Sequence, residues 1–268
     1  MIITANGSAE YTPASYRLPV NDEELAINAL LEKQLRIRFT GVIQCIHCQR
    51  VTNKSFNQGY CYPCFKRLAQ CDLCIVKPEL CHFDAGTCRE PDWARRHCFQ
   101  SHFVYLSNTS GIKVGITRNT QIPTRWLDQG ATQAIQVLRV HNRMQSGQTE
   151  VLLTSRFNDK TDWRKMLKQD PEPQDLAVLR DQLLEEAADG NSDLHKLVAT
   201  NQFEGVHAQA MHFRYPVLQY PEKINSLNLD KKPTIEGTLI GAKGQYLIFD
   251  TGVINMRKYG GYELELSY

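Results

Sequence analysis

All nine cysteines of this 268-residue chain fall between Cys45 and Cys98. An odd number of thiols confined to one short stretch, in CxxC pairs, fits a metal-held segment better than a disulfide framework. Cys45-Ile46-His47-Cys48 and Cys61-Tyr62-Pro63-Cys64 are two knuckles twelve residues apart. In each, two thiolates bite one ion while backbone amides point at sulfur. Together they offer four soft ligands in a tetrahedron, which suits zinc. Cys71-Asp72-Leu73-Cys74 opens a second site. Cys81, His82, Cys88, His97, Cys98 and His102 compete to complete it. Cysteine is the softer choice, so the expected set is Cys71 and Cys74 with two among Cys81, Cys88 and Cys98. One to two structural zinc ions are expected, and a third, completed by His102, if every thiol is used. An iron–sulfur cluster is the alternative on this second stretch.

The surrounding chain is of globular type. It is 42% hydrophobic and 22% charged, which argues against long disorder, collagen or coiled coil. No apolar run approaches the roughly 18–20 residues of a membrane helix. Met1-Ile2-Ile3-Thr4-Ala5-Asn6 has neither a basic nor an apolar leader region. A cytoplasmic protein with no membrane partner is expected. The net charge of +2 does not mark a polyanion binder, but its distribution is uneven. Residues 41–130 hold eleven basic and six acidic side chains, where they could meet phosphate.

Hydropathy patterning predicts an α+β fold in five stretches. Residues 1–44 read as a β-rich start, with one short helix over Asp22–Leu31 capped by Asn21 and a strand over Leu35–Thr40. Residues 45–102 are rich in turn residues and poor in aliphatics, so metal has to hold them together. From 103 to 170 the pattern is strand, strand, helix, strand, helix, helix. Phe103–Leu106 and Ile112–Ile116 form a hairpin across the polar turn Ser107–Gly111. Helices are expected behind Pro123, over Ser146–Phe157 and around Trp163–Leu167, with a strand over Ile135–Val140. Residues 171–210 form a helical extension, over Leu176–Ala188 and Asp193–Thr200. Residues 211–268 return to β signals and are expected to meet the N-terminal strands in one sheet. There Gly237–Gly244 fails the phosphate-loop pattern and reads as a hairpin.

The 103–170 segment resembles the GIY-YIG nuclease superfamily, especially its phage-type branch. Phe103-Val104-Tyr105 stands at the first triplet and Lys113-Val114-Gly115 at the second, followed by Ile116-Thr117. Arg125 lies ten residues after Gly115 on the next helix, and Glu150 lies on a later one. The chain also looks like an uncharacterised bacterial family that couples a cysteine-rich centre to such a hairpin. The resemblance implies phosphodiester cleavage. Tyr105 would help activate water, Arg125 would meet the scissile phosphate, and Glu150 would hold magnesium. The first triplet lacks its Gly-Ile, and Lys113 replaces a tyrosine common in active members. Asn158 is the candidate for the family's late asparagine.

Read from the residues alone, Glu150 shares a helical stripe with Leu153 and Phe157, and a carboxylate on an apolar face needs a partner or a metal. Lysine is a poor general base unless desolvated. Three functional classes follow: a zinc-stabilised nucleic-acid-binding protein with a degenerate nuclease-like module, an active magnesium-dependent endonuclease, and a zinc-stabilised protein–protein adaptor. The substituted triplets favour the first.

Overall fold

Alternating side chains build the N-terminal strands of the computed structural model, which describes residues 1–5, 11–20 and 23–268. β1 (Ile2–Ala5) pairs antiparallel with β2 (Thr12–Val20), in which every second residue from Thr12 to Leu18 is buried. β3 (Glu23–Ala26) folds back on β2. The helix expected over Asp22–Leu31 is therefore replaced by a strand and a single 3-10 turn, Ile27–Leu30. The backbone of β2 claims this stretch. Asn28 accepts from the Tyr16 amide at 2.8 Å and donates to the Ala14 carbonyl at 3.1 Å, while Ile27 and Leu30 drop into the core. The expected cap Asn21, with Asp22, lies outside the described residues. β4 (Gln34–Ile43) covers the expected Leu35–Thr40 strand.

The cysteine-rich stretch has little regular structure. It holds α1 (Tyr62–Arg67), three 3-10 turns and α2 (Pro91–His97). The hairpin follows as β5 (His102–Asn108) and β6 (Ile112–Arg118). α3 (Thr124–Asp128) begins directly after Pro123. β7 (Gln133–Val140) returns antiparallel to β5. α4 spans Arg143–Leu153 rather than the expected Ser146–Phe157. Asn142 sets the start, because its side chain accepts from the Gln145 amide at 2.9 Å. The chain unwinds before Phe157 so that the Asn158 carbonyl can take the Val114 amide at 2.9 Å on the β6 edge.

α5 (Trp163–Met166), α6 (Leu176–Ala188) and α7 (Asp193–Asn201) come next. β8 (Glu204–Gly205), β9 (Met211–Arg214), β10 (Thr234–Lys243), β11 (Tyr246–Phe249), β12 (Gly252–Asn255) and β13 (Tyr262–Ser267) end the chain. The 237–244 stretch is the β10–β11 hairpin.

Two sheets result among the described residues. The larger runs β1-β2-β9-β7-β5-β6, with β3 also on β2 and β8 also on β7; the smaller runs β12-β11-β10-β4-β13. The C-terminal strands β10 and β13 thus flank β4, while β1 to β3 join the hairpin sheet through the parallel β2–β9 contact. β5 is the strand around which the site is organised, and all seven of its residues are buried. Val104 and Leu106 pack into a cluster with Leu153, Leu176, Leu183 and Phe203. Tyr105 faces the other way, into a core with Trp126, Leu127, Phe213 and Leu239. A strand covered on both faces holds its side chains in fixed positions, as a site requires.

Candidate functional site

The first two CxxC knuckles converge. The sulfurs of Cys45, Cys48, Cys61 and Cys64 all lie within 4.8 Å of one another, with Cys48 and Cys61 3.7 Å apart. The segment folds this way because Cys45–Arg50 closes a tight turn, in which the Cys45 amide donates to the Arg50 carbonyl and the Gln49 amide donates back to the Cys45 carbonyl, each at 2.9 Å. Cys61 then caps α1, which carries Cys64 one turn later. Burial opposes ionisation of Cys45, but the amides of Cys48, Cys61 and His47 directed at its sulfur bring it down to about 6. Burial and the three neighbouring thiols push Cys64 up to about 12. Four thiols crowded in this way cannot all ionise unless a cation compensates them. A d¹⁰ ion with no geometric preference of its own meets that requirement, so the donor set fits one structural zinc. Lys54, Lys66 and Arg67 stand exposed around this centre.

The remaining thiols divide. Cys71 packs in the apolar cluster of Cys45, Cys61, Cys64 and Leu68. Cys74 instead feels the charges of Cys81, Cys88 and Cys98. Its own burial and then the charges of Asp72 and these three thiols push it up to about 11. His97 stacks on Trp93, with ring centroids 4.2 Å apart, and faces the Trp93 carbonyl at 2.9 Å. His102 begins β5 fully buried. Its Nδ1 lies 2.7 Å from the Gln100 carbonyl, and burial, reinforced by Arg143 and Arg118, holds its pKa down near 4.

A second constellation lies on the hairpin. Tyr105 and Gly115 are directly opposed across the β5–β6 ladder, and Lys113 opposes Ser107 two residues along the same face. A Cβ on Gly115 would meet the Tyr105 Cζ and hydroxyl at 2.6 Å, so the phenol lies flat over a position open only to glycine. Tyr105 is wholly buried, edge-on to Trp126 at 5.8 Å, and its hydroxyl donates to Gln129 Oε1 at 2.9 Å. Lys113 is 4% exposed and donates to the Asp159 carbonyl at 3.1 Å.

Arg125, half-buried on α3, and Glu150, half-buried on α4, complete the group. Burial pushes Glu150 up to about 7 against the pull of Lys113 and Arg125. Burial, helped by Arg125 and opposed by Glu150, brings Lys113 down to about 8. Burial holds Tyr105 at about 12 although Arg125 opposes it. The four side chains, drawn from β5, β6, α3 and α4, therefore share one electrostatic neighbourhood in which the acid and the amine are both displaced toward neutrality. Perturbed groups of this kind gather where a protein handles charge.

Arg143, Gln129 and Asp159 also belong to this neighbourhood, and no motif marks them. Arg143 at the start of α4 donates to the Ile75 carbonyl at 2.5 Å, while its amide donates to the Cys98 carbonyl at 2.8 Å. The cysteine-rich lobe is thereby tied to the helix that carries Glu150. Asn142, whose side chain caps α4 just ahead of Arg143, is the one local mark in the chain of where that helix starts. Gly147 allows the contact: a Cβ there would meet the Glu79 amide nitrogen at 2.8 Å. A cleft of about 920 Å³ lies elsewhere and is lined by Asn57, Tyr60, Asp128, Arg257 and Tyr259 among others.

Fold and site together define a zinc-binding α+β protein with a four-cysteine centre and two sheets. The chain belongs to the family described as "Protein of unknown function (DUF2797)", whose model matches residues 32–264. No curated protein and no solved structure matches the chain. Among the described residues, no helix is long and apolar enough to cross a membrane.

Proposed function

We propose that this chain is a zinc-stabilised nucleic-acid-binding protein whose 103–170 segment is a GIY-YIG-like module. The convergence of Tyr105, Lys113, Arg125 and Glu150 from four separate elements carries this reading, because these are the positions at which the resemblance places the groups that activate water, meet the scissile phosphate and hold magnesium. In it, half-exposed Arg125 meets a phosphate oxygen, and Lys113 adds positive charge from beneath. Lys54, Lys66 and Arg67 extend the contact along the backbone of the nucleic acid.

The enclosure of Tyr105 supports binding over vigorous hydrolysis. Its hydroxyl is committed to Gln129, and a phenol held near 12 does not accept a proton from water at neutral pH.

Hydrolysis is the second reading, and Lys113 favours it. A desolvated amine near 8 is a competent base, which a solvated lysine is not. Magnesium, when bound, would supply charge stabilisation at the phosphoryl oxygens. Glu150 would hold it, Lys113 would take the proton of the attacking water, and Arg125 would stabilise the developing charge.

Fluorescence anisotropy with labelled DNA and RNA over a salt series tests the proposal. Affinity is expected to fall steeply with salt. Arg125→Ala is expected to weaken binding uniformly across sequences and to flatten the salt slope by roughly one unit. No binding at micromolar protein, or affinity independent of salt, would overturn the proposal and leave the protein–protein adaptor reading. Magnesium-dependent cleavage lost in both Glu150→Gln and Lys113→Met would establish the second reading.

A further inference from the structure

The segment from Asp72 to Phe99 has almost no apolar core of its own. Leu73, Val76, Leu80 and Phe99 are 59%, 75%, 50% and 44% exposed. Its regular structure is two 3-10 turns, Leu73–Ile75 and Pro78–Leu80, and the short helix α2. Chain of this kind does not hold a shape by burial and needs another staple.

Local contacts draw four thiols toward one place. The Thr87 hydroxyl donates to the His82 carbonyl at 3.3 Å and lies 2.7 Å from the His82 ring nitrogen, closing the loop between Cys81 and Cys88. The rings of Phe83 and Phe99 lie 4.5 Å apart, which brings the Cys81 turn to the Cys98 turn. Asp72 reaches both sides of this loop, accepting from Arg89 Nε at 2.7 Å with its Oδ2 3.3 Å from His82 Nε2. Arg143 clamps the Ile75 and Cys98 carbonyls, one residue after Cys74 and at Cys98 itself. Cys74 accordingly has Cys81, Cys88 and Cys98 as its electrostatic neighbours, and Cys98 has Cys81 and Cys88.

We propose that Cys74, Cys81, Cys88 and Cys98 form a second zinc site, separate from the Cys45 centre, and that Cys71 belongs to neither. The nine thiols then divide into two tetrathiolate sets and one buried cysteine packed under the first set. Binding would draw the four sulfurs in around the ion, displacing their protons. Among the described residues it is Asp72, Cys74 and His82, not three of these thiols, that place ligand atoms within 4.8 Å of one another. That trio is an ion-pair network instead, because Asp72 already accepts from the Leu73 amide at 2.6 Å and from Arg89. The lobe docks on α4 through Pro78, Glu79 and Gly147, so the second ion would support the helix that carries Glu150.

Elemental analysis of the full-length, zinc-replete protein, with wild type and single variants side by side, tests this assignment independently of any nucleic-acid activity. Wild type is expected to hold one zinc equivalent at the Cys45 centre and a second here. Cys88→Ser and Cys98→Ser should each lose one equivalent, whereas Cys71→Ser and His82→Ala should lose none. Native-state alkylation mapped by mass spectrometry guards against a folding artefact. In wild type Cys81, Cys88 and Cys98 should be protected, and chelation should expose them together. A single zinc equivalent in wild type, free alkylation of these three thiols in zinc-replete protein, or zinc lost in His82→Ala but kept in Cys88→Ser would overturn the assignment.

Discussion

Replacing Glu150 with Gln preserves shape and hydrogen-bonding capacity but removes a carboxyl that titrates near 7 in the folded chain and near 4.5 when unfolded. The folded chain holds the proton more tightly. Wild-type stability is therefore fully present below pH 4.5 and is lost as pH rises through the window from 4.5 to 7. At about 1.4 kcal/mol per pKa unit, the full window is worth about 3.5 kcal/mol, of which about 2.5 kcal/mol falls between pH 5 and pH 8. Groups common to both proteins, the zinc thiolates and Lys113 among them, cancel to first order in the difference. Urea unfolding of wild type and Glu150→Gln in zinc-replete buffer at pH 5, 6, 7 and 8 reads it directly. The variant should gain on wild type by about 2.5 kcal/mol across the series, then run parallel above neutrality. A difference constant to within about 0.5 kcal/mol from pH 5 to pH 8 would refute the reasoning, since it would mean that Glu150 is solvated in the native state.

Nucleic-acid affinity should fall as pH rises through 7, where Glu150 gains negative charge, and again near 8, where Lys113 loses its positive charge; anisotropy from pH 6 to 8.5 would show both steps, and Glu150→Gln should erase the lower one. Gly115→Ala puts a methyl group 2.6 Å from the Tyr105 ring, so it should cost about 1–3 kcal/mol in thermal or urea unfolding and shift the fluorescence of neighbouring Trp126. Cys61→Ser should remove the zinc of the Cys45 centre and raise hydrogen exchange across residues 45–68 while β5 to β7 stay protected, because the first stretch rests on metal and the strands rest on apolar burial.

The sequence by itself determined what depends on near neighbours. CxxC spacing places two thiolates on one ion whatever surrounds them, so the Cys45–Cys64 set was legible. Alternation and the Ser107–Gly111 turn specified the β5–β6 hairpin, and the Leu176–Ala188 helix followed from its periodicity alone. Local pattern misled where a distant strand laid claim to the chain. Glu23–Ala26 has helix formers, yet β2 offers its backbone and wins.

Three things were decided only by the tertiary structure. Cys71 packs under the first centre, while Cys74, three residues on in the 3-10 turn Leu73–Ile75, comes under the electrostatic influence of Cys81, Cys88 and Cys98. Arg143, without a motif, joins the cysteine-rich lobe to α4 through contacts with residues far away in sequence. Glu150 and Lys113 acquire their shifted proton affinities from burial, and burial depends on which elements pack over a side chain and displace its water. Ligand type and spacing are properties of the covalent chain, whereas desolvation exists only once the chain has folded.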